Sequence, residues 1–378
     1  MSAKRKIIII GSAYPLRGGG ISTFNERLAK AYIDNGDDVT IYTFSLQYPS
    51  FLFPGTTQYS KEPPPQGLNI KVKINSVNPL NWLSVGKEIS NLKPDLVIVR
   101  FWIPFMGPCL GKISRIIRKK GIKVVAIVDN IIPHEHKPGD RVLSKYFVNS
   151  VDYFVTMSKS VLTDLNTFDN KKPKLLTVHP LYDNFGKIIP KEEALKKLNL
   201  SNEFNYILFF GFIREYKGLD LLLQAFADER LRKFPLKLLV VGEFYIDSAP
   251  YLKMIEELGI KNDVIMHSEF VPNTEVVNYF CASSLVVQPY KDATQSGITQ
   301  IAYHFEKPII TTNVGGLSEI VTDKRDGYVV EPDSKQIADA IFTYFDKKLE
   351  IEFTENVKED KKRFSWDKML SAIDKVSN

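Results

Sequence analysis

What constrains this chain most is a repeated alternation. Short, continuously apolar runs rich in Ile, Val and Leu are each followed by a stretch with helical spacing. One set of runs covers residues 7–10, 39–44, 96–100, 124–128, 153–156 and 175–178. A second covers 207–210, 236–241, 264–266, 285–288, 309–312 and 328–330. Strands buried on both faces of a parallel sheet read in this unbroken way, whereas half-exposed strands alternate. Strands that alternate with helices point to an α/β chain of doubly wound parallel sheets. Helix ends are legible too: Thr23 with Glu26 has the spacing of a capping box, and Asn35-Gly36 supplies a stop. Helical spacing recurs over 219–226, 251–258 and 336–345, and residues 45–69, with Pro63-Pro64-Pro65, read as an irregular insertion.

At 378 residues the chain has room for about two domains. Periodicity fades after His179-Pro180, and charged residues 191–197 follow. The expected division is a first domain over 1–185, a linker over 186–203 and a second domain over 204–362. A terminal helix over 363–378, with Ser365 as its N-cap, is expected to pack back on the first domain. Ligands of open parallel sheets bind outside the carboxyl ends of the strands. Two such sheets facing each other would hold a ligand in the cleft between them.

Apolar residues make up 44% and charged residues 25%, which excludes a disordered or disulfide-scaffold chain. The net charge of +6 permits contact with phosphates or anionic lipid but is too small to imply nucleic acid. Cys109 and Cys281 lie in apolar stretches without metal-ligand spacing, which suits a reducing compartment. Lys4-Arg5-Lys6 precedes an apolar run of only four residues, short of the about 7–15 of a signal peptide. A cytoplasmic protein, free or peripheral on the membrane face, is therefore expected.

Chemistry gathers at four strand ends. The first strand runs into Gly11 and then Arg17-Gly18-Gly19-Gly20 before a helix. Consecutive glycines there let backbone N–H groups approach an anion, though a plain surface loop has the same composition. The sequence fits neither a Walker A loop nor a dinucleotide turn. In the second half Gly211 is followed by Arg214, Lys217 and Gly218, and two cations at a strand end suit a diphosphate. Thr294-Gln295-Ser296-Gly297-Ile298 opens another helix, either binding phosphate or merely capping it. Gly315-Gly316 then leads to Glu319.

In this order the segments resemble the family 4 retaining glycosyltransferases of GT-B fold. The resemblance rests on the glycine-rich first turn, Gly-x5-Lys-Gly at 211–218, Glu-Lys-Pro-Ile-Ile at 306–310 and Val-Gly-Gly-Leu-x-Glu at 314–319. Within the family it is similar to bacterial members with a His-Asn-x-x-Pro-His-Glu segment, here starting Asp129-Asn130 and reaching His134. The resemblance implies two Rossmann-like domains and sugar transfer from a nucleotide diphosphate donor, UDP- or GDP-linked, to a glycan or lipid-linked acceptor. Configuration would be retained, with no metal and no cofactor. Lys217 would neutralise the leaving diphosphate. Gln295, Ser296, Gly297 and Ile298 would donate to it, Gly19 and Gly20 would approach it, and Gly211 would open the turn. Val271 would lie where the base rests, and Glu319 would reach the nucleoside. Asn130 and His134 would serve the acceptor. From their aromatic character alone, Trp82, Trp102 and Phe105 either line an acceptor path or pack in the core.

Two positions depart from the family pattern. Phe212 stands where an arginine usually follows the glycine, so Arg214 is assigned from its chemistry. The usual Glu-x7-Glu pair falls near Ala293 and Ile301, neither acidic. In the expected mechanism Lys217 and Arg214 stabilise the leaving group. Asp129 stabilises the sugar cation or takes the acceptor proton, and His134 orients the acceptor or is structural. A nucleotide-sugar epimerase or hydrolase and a non-catalytic nucleotide-sugar-binding partner of another transferase stay open beside this reading. Clustered cations over 111–120 read as a solvated helix face or as a contact with anionic lipid.

Overall fold

Four consecutive isoleucines can be sheltered only by a strand covered on both sides. Ile7 to Ile10 are each at most 1% exposed, in the interior of a seven-stranded sheet. The computed structural model describes residues 4–17, 19–49, 57–133, 137–294 and 296–378. They form two units, Met1–Pro180 with Phe364–Asn378, and Leu181–Arg363.

In the first unit the strands are β1 (Lys6–Ile10), β2 (Asp38–Leu46), β3 (Asn69–Asn75), β4 (Leu96–Phe101), β5 (Lys123–Val128), β6 (Tyr153–Thr156) and β7 (Lys174–Leu176). Their order is β3-β2-β1-β4-β5-β6-β7, all parallel. In the second unit β8 (Asn205–Phe210), β9 (Leu236–Val241), β10 (Val264–His267), β11 (Leu285–Gln288), β12 (Ile309–Thr312) and β13 (Gly327–Val330) lie in the order β10-β9-β8-β11-β12-β13. These too are all parallel. Strand order reverses between β1 and β4 and again between β8 and β11. Those are the two switch points outside which a doubly wound sheet leaves room for a ligand.

The runs of apolar residues become strands as expected, and the differences have physical reasons. β3 lies beyond the insertion and was hidden because Lys71 and Lys73 alternate with Ile70, Val72 and Ile74, the pattern of an edge strand. The capping box fails. The helix Gly20–Asp34 has Gly19 at its N-cap and no side-chain cap, and Thr23 is already inside it, its hydroxyl unbonded among the described residues. Glu26 instead accepts the Tyr14 backbone N–H at 2.8 Å. Residues 186–203 contain the helix Lys191–Lys197, which packs on the helix Val276–Ala282 within the second unit.

The terminal helix Trp366–Ser377 is capped by Ser365, which accepts from the Lys368 N–H. Its Trp366 ring lies 5.0 Å from that of Phe24, and Asp374 pairs with Arg5 at 2.8 Å. Phe24 is fully buried. Among the described residues no helix is long and apolar enough to cross a membrane.

Candidate active site

The second-unit site is built on Gly211. Its φ of +105° is open to glycine at little cost, and its N–H continues the ladder to the Val241 carbonyl at 2.9 Å. The chain then makes a short turn, Glu215–Lys217, closed by Gly218. A Cβ at Gly218 would stand 1.9 Å from the Pro289 carbonyl oxygen, so only glycine lets the turn lie against the end of β11. The Lys291 N–H donates to Tyr216 O at 2.7 Å and fastens the two loops together.

This packing turns Lys217 back over the strand end. Its Nζ is 3.2 Å from where a Gly211 Cβ would sit and 5.4 Å from the centre of the Tyr290 ring. Among the described residues the ammonium has no hydrogen-bond or ion-pair partner. Burial pushes its pKa below the usual lysine range, and the nearby Arg214 charge adds to the effect. A desolvated cation without a counter-charge is costly, and an incoming anion would relieve that cost. Arg214 holds its guanidinium 5.1 Å from the centre of the Tyr245 ring. Tyr245 stacks with Phe212, which is also near Phe270, the neighbour of the buried Val271.

Beside this turn the helix Gly297–His304 starts. Ser296 is its N-cap, accepting from the Ile298 N–H at 3.2 Å and from Gln288 Nε2 at 2.8 Å. Thr299 donates to Gln288 Oε1 at 2.7 Å and completes a buried polar chain. The Ser296 hydroxyl is thus engaged in structure, while Ile298 brings its Cδ1 to 3.4 Å from the Gly211 Cβ position. A Cβ on Gly297 would meet the Tyr182 ring at 2.6 Å. The Gly316 N–H bonds to Thr294 O at 3.1 Å, which ties the turn carrying the exposed Glu319 to the same strip. Gln295 lies outside the described residues.

Gly211, Lys217, Ser296, Gly297 and Ile298 therefore meet at the β8/β11 switch point. Gln288, Tyr290, Tyr245 and Tyr182 were missed from sequence. Only Gln288 had a signal, a polar residue closing an otherwise apolar run.

At the first unit's switch point Gly19 is extended, and its carbonyl accepts the Thr23 N–H at 3.0 Å. Gly20 begins the helix. Beneath them Glu26 is pushed up to about 6 by burial, with the Glu62 charge adding and the Tyr14 N–H opposing. Asp129 follows β5, and both its carboxylate oxygens accept from Arg100, on Nε and Nη2. Arg100 is 2% exposed, with its guanidinium carbon 3.7 Å from the centre of the Phe24 ring. Both carboxylate oxygens are thereby taken up by the guanidinium. Arg100 was the missed partner, legible as a charge at the end of an apolar run.

Among the described residues the Oδ1 of Asn130 is buried without a hydrogen-bond donor. Trp102 follows β4 and donates its indole N–H to the Tyr48 hydroxyl at 2.7 Å. His134 lies outside the described residues. Among the described residues, no three or more His, Cys, Asp or Glu side chains group as metal ligands.

Sequence comparison closes the question of kinship. Residues 18–183 match the family model for Glycosyltransferase Family 4, and residues 190–363 match that for Glycosyl transferases group 1. The chain belongs to the family 4 glycosyltransferases. One relative, an uncharacterised glycosyltransferase of Methanocaldococcus jannaschii, is 28% identical over 241 residues, which is 62% of this chain and 62% of that protein. The alignment thus spans about three fifths of that relative's length. Among solved structures, sucrose-phosphate synthase from Thermosynechococcus elongatus superposes with a TM-score of 0.73 at 16% identity, over 98% of both chains. The Anabaena protein HepE, crystallised with UDP, gives 0.72 at 16% identity, again over 98% of both. The fold of this family 4 chain is GT-B.

Proposed function

We propose that the protein is a retaining glycosyltransferase that moves a sugar from a nucleoside diphosphate donor, UDP- or GDP-linked, to a hydroxyl of a glycan or lipid-linked acceptor. The observation that carries this reading is the desolvated, unpartnered Lys217 ammonium beside Gly211 and Ile298. It is a cation built for an anion. Family membership supports the transferase reading, and the UDP-bound state of HepE supports the donor class.

In the proposed reaction the bond between the anomeric carbon and the diphosphate oxygen lengthens first. Negative charge grows on the diphosphate and positive charge on the sugar ring. Lys217, Arg214 and the Gly297 N–H meet the growing negative charge, and Ile298 lines the site with its side chain. No metal is required. Such preorganised donors typically contribute several kcal/mol. Ser296 holds the helix start in place, Val271 lies beside the base and Glu319 beside the nucleoside. The acceptor oxygen attacks from the face the diphosphate leaves, and its proton passes to the departing phosphate oxygen. Asp129, fixed by Arg100, acts by its charge on the sugar cation and not as the base. Asn130, His134 and Trp102 receive the acceptor.

Assembly of a cell-surface polysaccharide or glycolipid is the proposed role, on the cytoplasmic membrane face. Arg115 and Arg118 are drawn into bonds with Ser150 and Asp152, which leaves Lys112, Lys119 and Lys120 exposed toward anionic lipid. Calorimetry with UDP and GDP on wild type and Lys217→Ala, with turnover measured in EDTA, tests the reading. Wild type should bind one of them, and the variant should lose most of that affinity. Equal binding and turnover in the variant would overturn the assignment. Failure to sediment with anionic vesicles at low salt would remove the membrane contact.

A further inference from the structure

We propose that two facing carboxyl groups, Asp326 and Asp360, position the turn that carries Glu319 and make its hold on the donor's nucleoside tighter in acid than in alkali. The inference rests on the glycosyltransferase reading and on the nucleoside role proposed there for Glu319, and it adds a way of regulating donor affinity.

The turn Leu317–Glu319 is fastened at both ends. Before it, the Gly316 N–H donates to Thr294 O at 3.1 Å. After it, the Ile320 carbonyl accepts from Arg363 Nη2 and lies 3.4 Å from the Tyr303 hydroxyl, late in the helix Gly297–His304. The same hydroxyl is 2.7 Å from Asp326 Oδ2. Asp326 Oδ1 accepts the Thr322 N–H at 2.8 Å, two residues past Ile320. Asp326 is fully buried, just before β13. The chain leaving the Glu319 turn is folded back around this one carboxyl group.

Asp360 ends the helix Glu350–Asp360 and hydrogen-bonds to Asp326. Two carboxyl groups can do so only with a proton between them. Asp360 Oδ2 also accepts from the Thr322 hydroxyl at 3.3 Å and from Arg325 Nε at 3.2 Å. The other charged or titratable groups facing the pair are Tyr303 from the helix Gly297–His304, Arg325 from the loop before β13 and Arg363 from the turn after Asp360. Burial pushes Asp326 up to about 6, with the Tyr303 hydroxyl opposing and Asp360 adding. Asp360, against the effect of burial, is lowered by its bond from Asp326 and by Arg325. The proton therefore belongs to Asp326 and leaves as pH rises through about 6. Two negative charges then face each other, and Arg325 and Arg363 offset only part of the repulsion. The rest slackens the Thr322 loop and with it the far end of the Glu319 turn. Lys217, over the Gly211 turn, stands on a separate support.

The test is calorimetry with UDP, GDP and inorganic pyrophosphate on wild type, Asp360→Asn, Tyr303→Phe and Glu319→Gln, from about pH 5 to about pH 8. Asparagine keeps a hydrogen bond to Asp326 without a second charge. Any titration of the ligand is common to wild type and variant, so the ratio of their affinities isolates the pair. At the acid end that ratio should be near one. At the alkaline end Asp360→Asn should bind the nucleotide about fivefold more tightly than wild type. Pyrophosphate should not distinguish the two proteins. Tyr303→Phe should weaken nucleotide binding, and Glu319→Gln added to it should weaken it little further, because both act on one contact. Where Tyr303→Phe does not fold, the Asp360→Asn ratio still decides. A ratio that does not change with pH, an equal change for pyrophosphate, or additive losses in the double variant overturns the positioning role. Nucleotide binding untouched in Glu319→Gln overturns the nucleoside contact and the inference with it. Failure of wild type to bind UDP or GDP overturns the donor reading instead.

Discussion

The Lys217 ammonium sits 3.2 Å from the point where Gly211 would carry a Cβ. One residue lacks a side chain so that the other's charge can lie against the strand end. Gly211→Ala therefore meets two obstacles, a φ of +105° and a displaced lysine. Strain of this kind costs about 1–3 kcal/mol. Calorimetry should show donor nucleotide affinity falling by about tenfold or more, since 1.4 kcal/mol is a factor of ten.

Replacing the lysine itself should separate activity from stability. Lys217→Met is expected to lower kcat by about two to three orders of magnitude, the range seen when a preorganised electrostatic donor is lost. Its thermal midpoint at neutral pH should not fall, because an unpartnered desolvated charge is removed. The folded lysine has a lowered pKa, so the unfolded chain binds more protons at alkaline pH. Wild-type stability should thus gain from this group as pH rises from the folded pKa toward the unfolded one, and the variant should lack that gain.

Glu26 works in the opposite sense. Its folded pKa, about 6, is above the ordinary 4.5, so between those values the folded chain holds more protons than the unfolded. Stability from this group falls as pH rises through that window. Glu26→Gln keeps an acceptor for the Tyr14 N–H and removes the charge. Urea titrations should find it about 1–2 kcal/mol more stable than wild type at pH 7. The advantage should vanish below pH 4.5.

Arg100 and Asp129 form a buried ion pair, and removal of one member strands the other. Asp129→Ala or Arg100→Met should each cost about 3–5 kcal/mol in urea unfolding. The double variant should cost clearly less than the two losses combined. Additive losses would show that the pair is not coupled.

Among the described residues, twelve of the thirteen strands were legible because burial on both faces writes itself as an unbroken apolar run. β3 was not, since its alternating lysines record a strand at the sheet edge. The helix start at Gly19 was misread for a related reason: Thr23 and Glu26 have the spacing of a cap, but Glu26 serves the preceding loop. Gly211 and Lys217 could be found in the sequence, because a turn needing glycine is local. The pairing of Asp129 with Arg100, and the chain from Thr299 through Gln288 to Ser296, join residues brought close only by parallel strands. No spacing along the chain announces such contacts. The family comparison supplied kinship, and the geometry supplied the pairings.

The helix that begins at Trp366 covers Phe24, although 183 residues of a separate unit intervene before Phe364. The first unit is therefore discontinuous in sequence while the second is continuous. During synthesis, residues 1–180 leave the ribosome without the segment that shelters Phe24 and pairs with Arg5, and must wait for it until the second unit has been made. A gene split at residue 180 would release a first half with an open apolar flank, its covering helix carried off on the other piece.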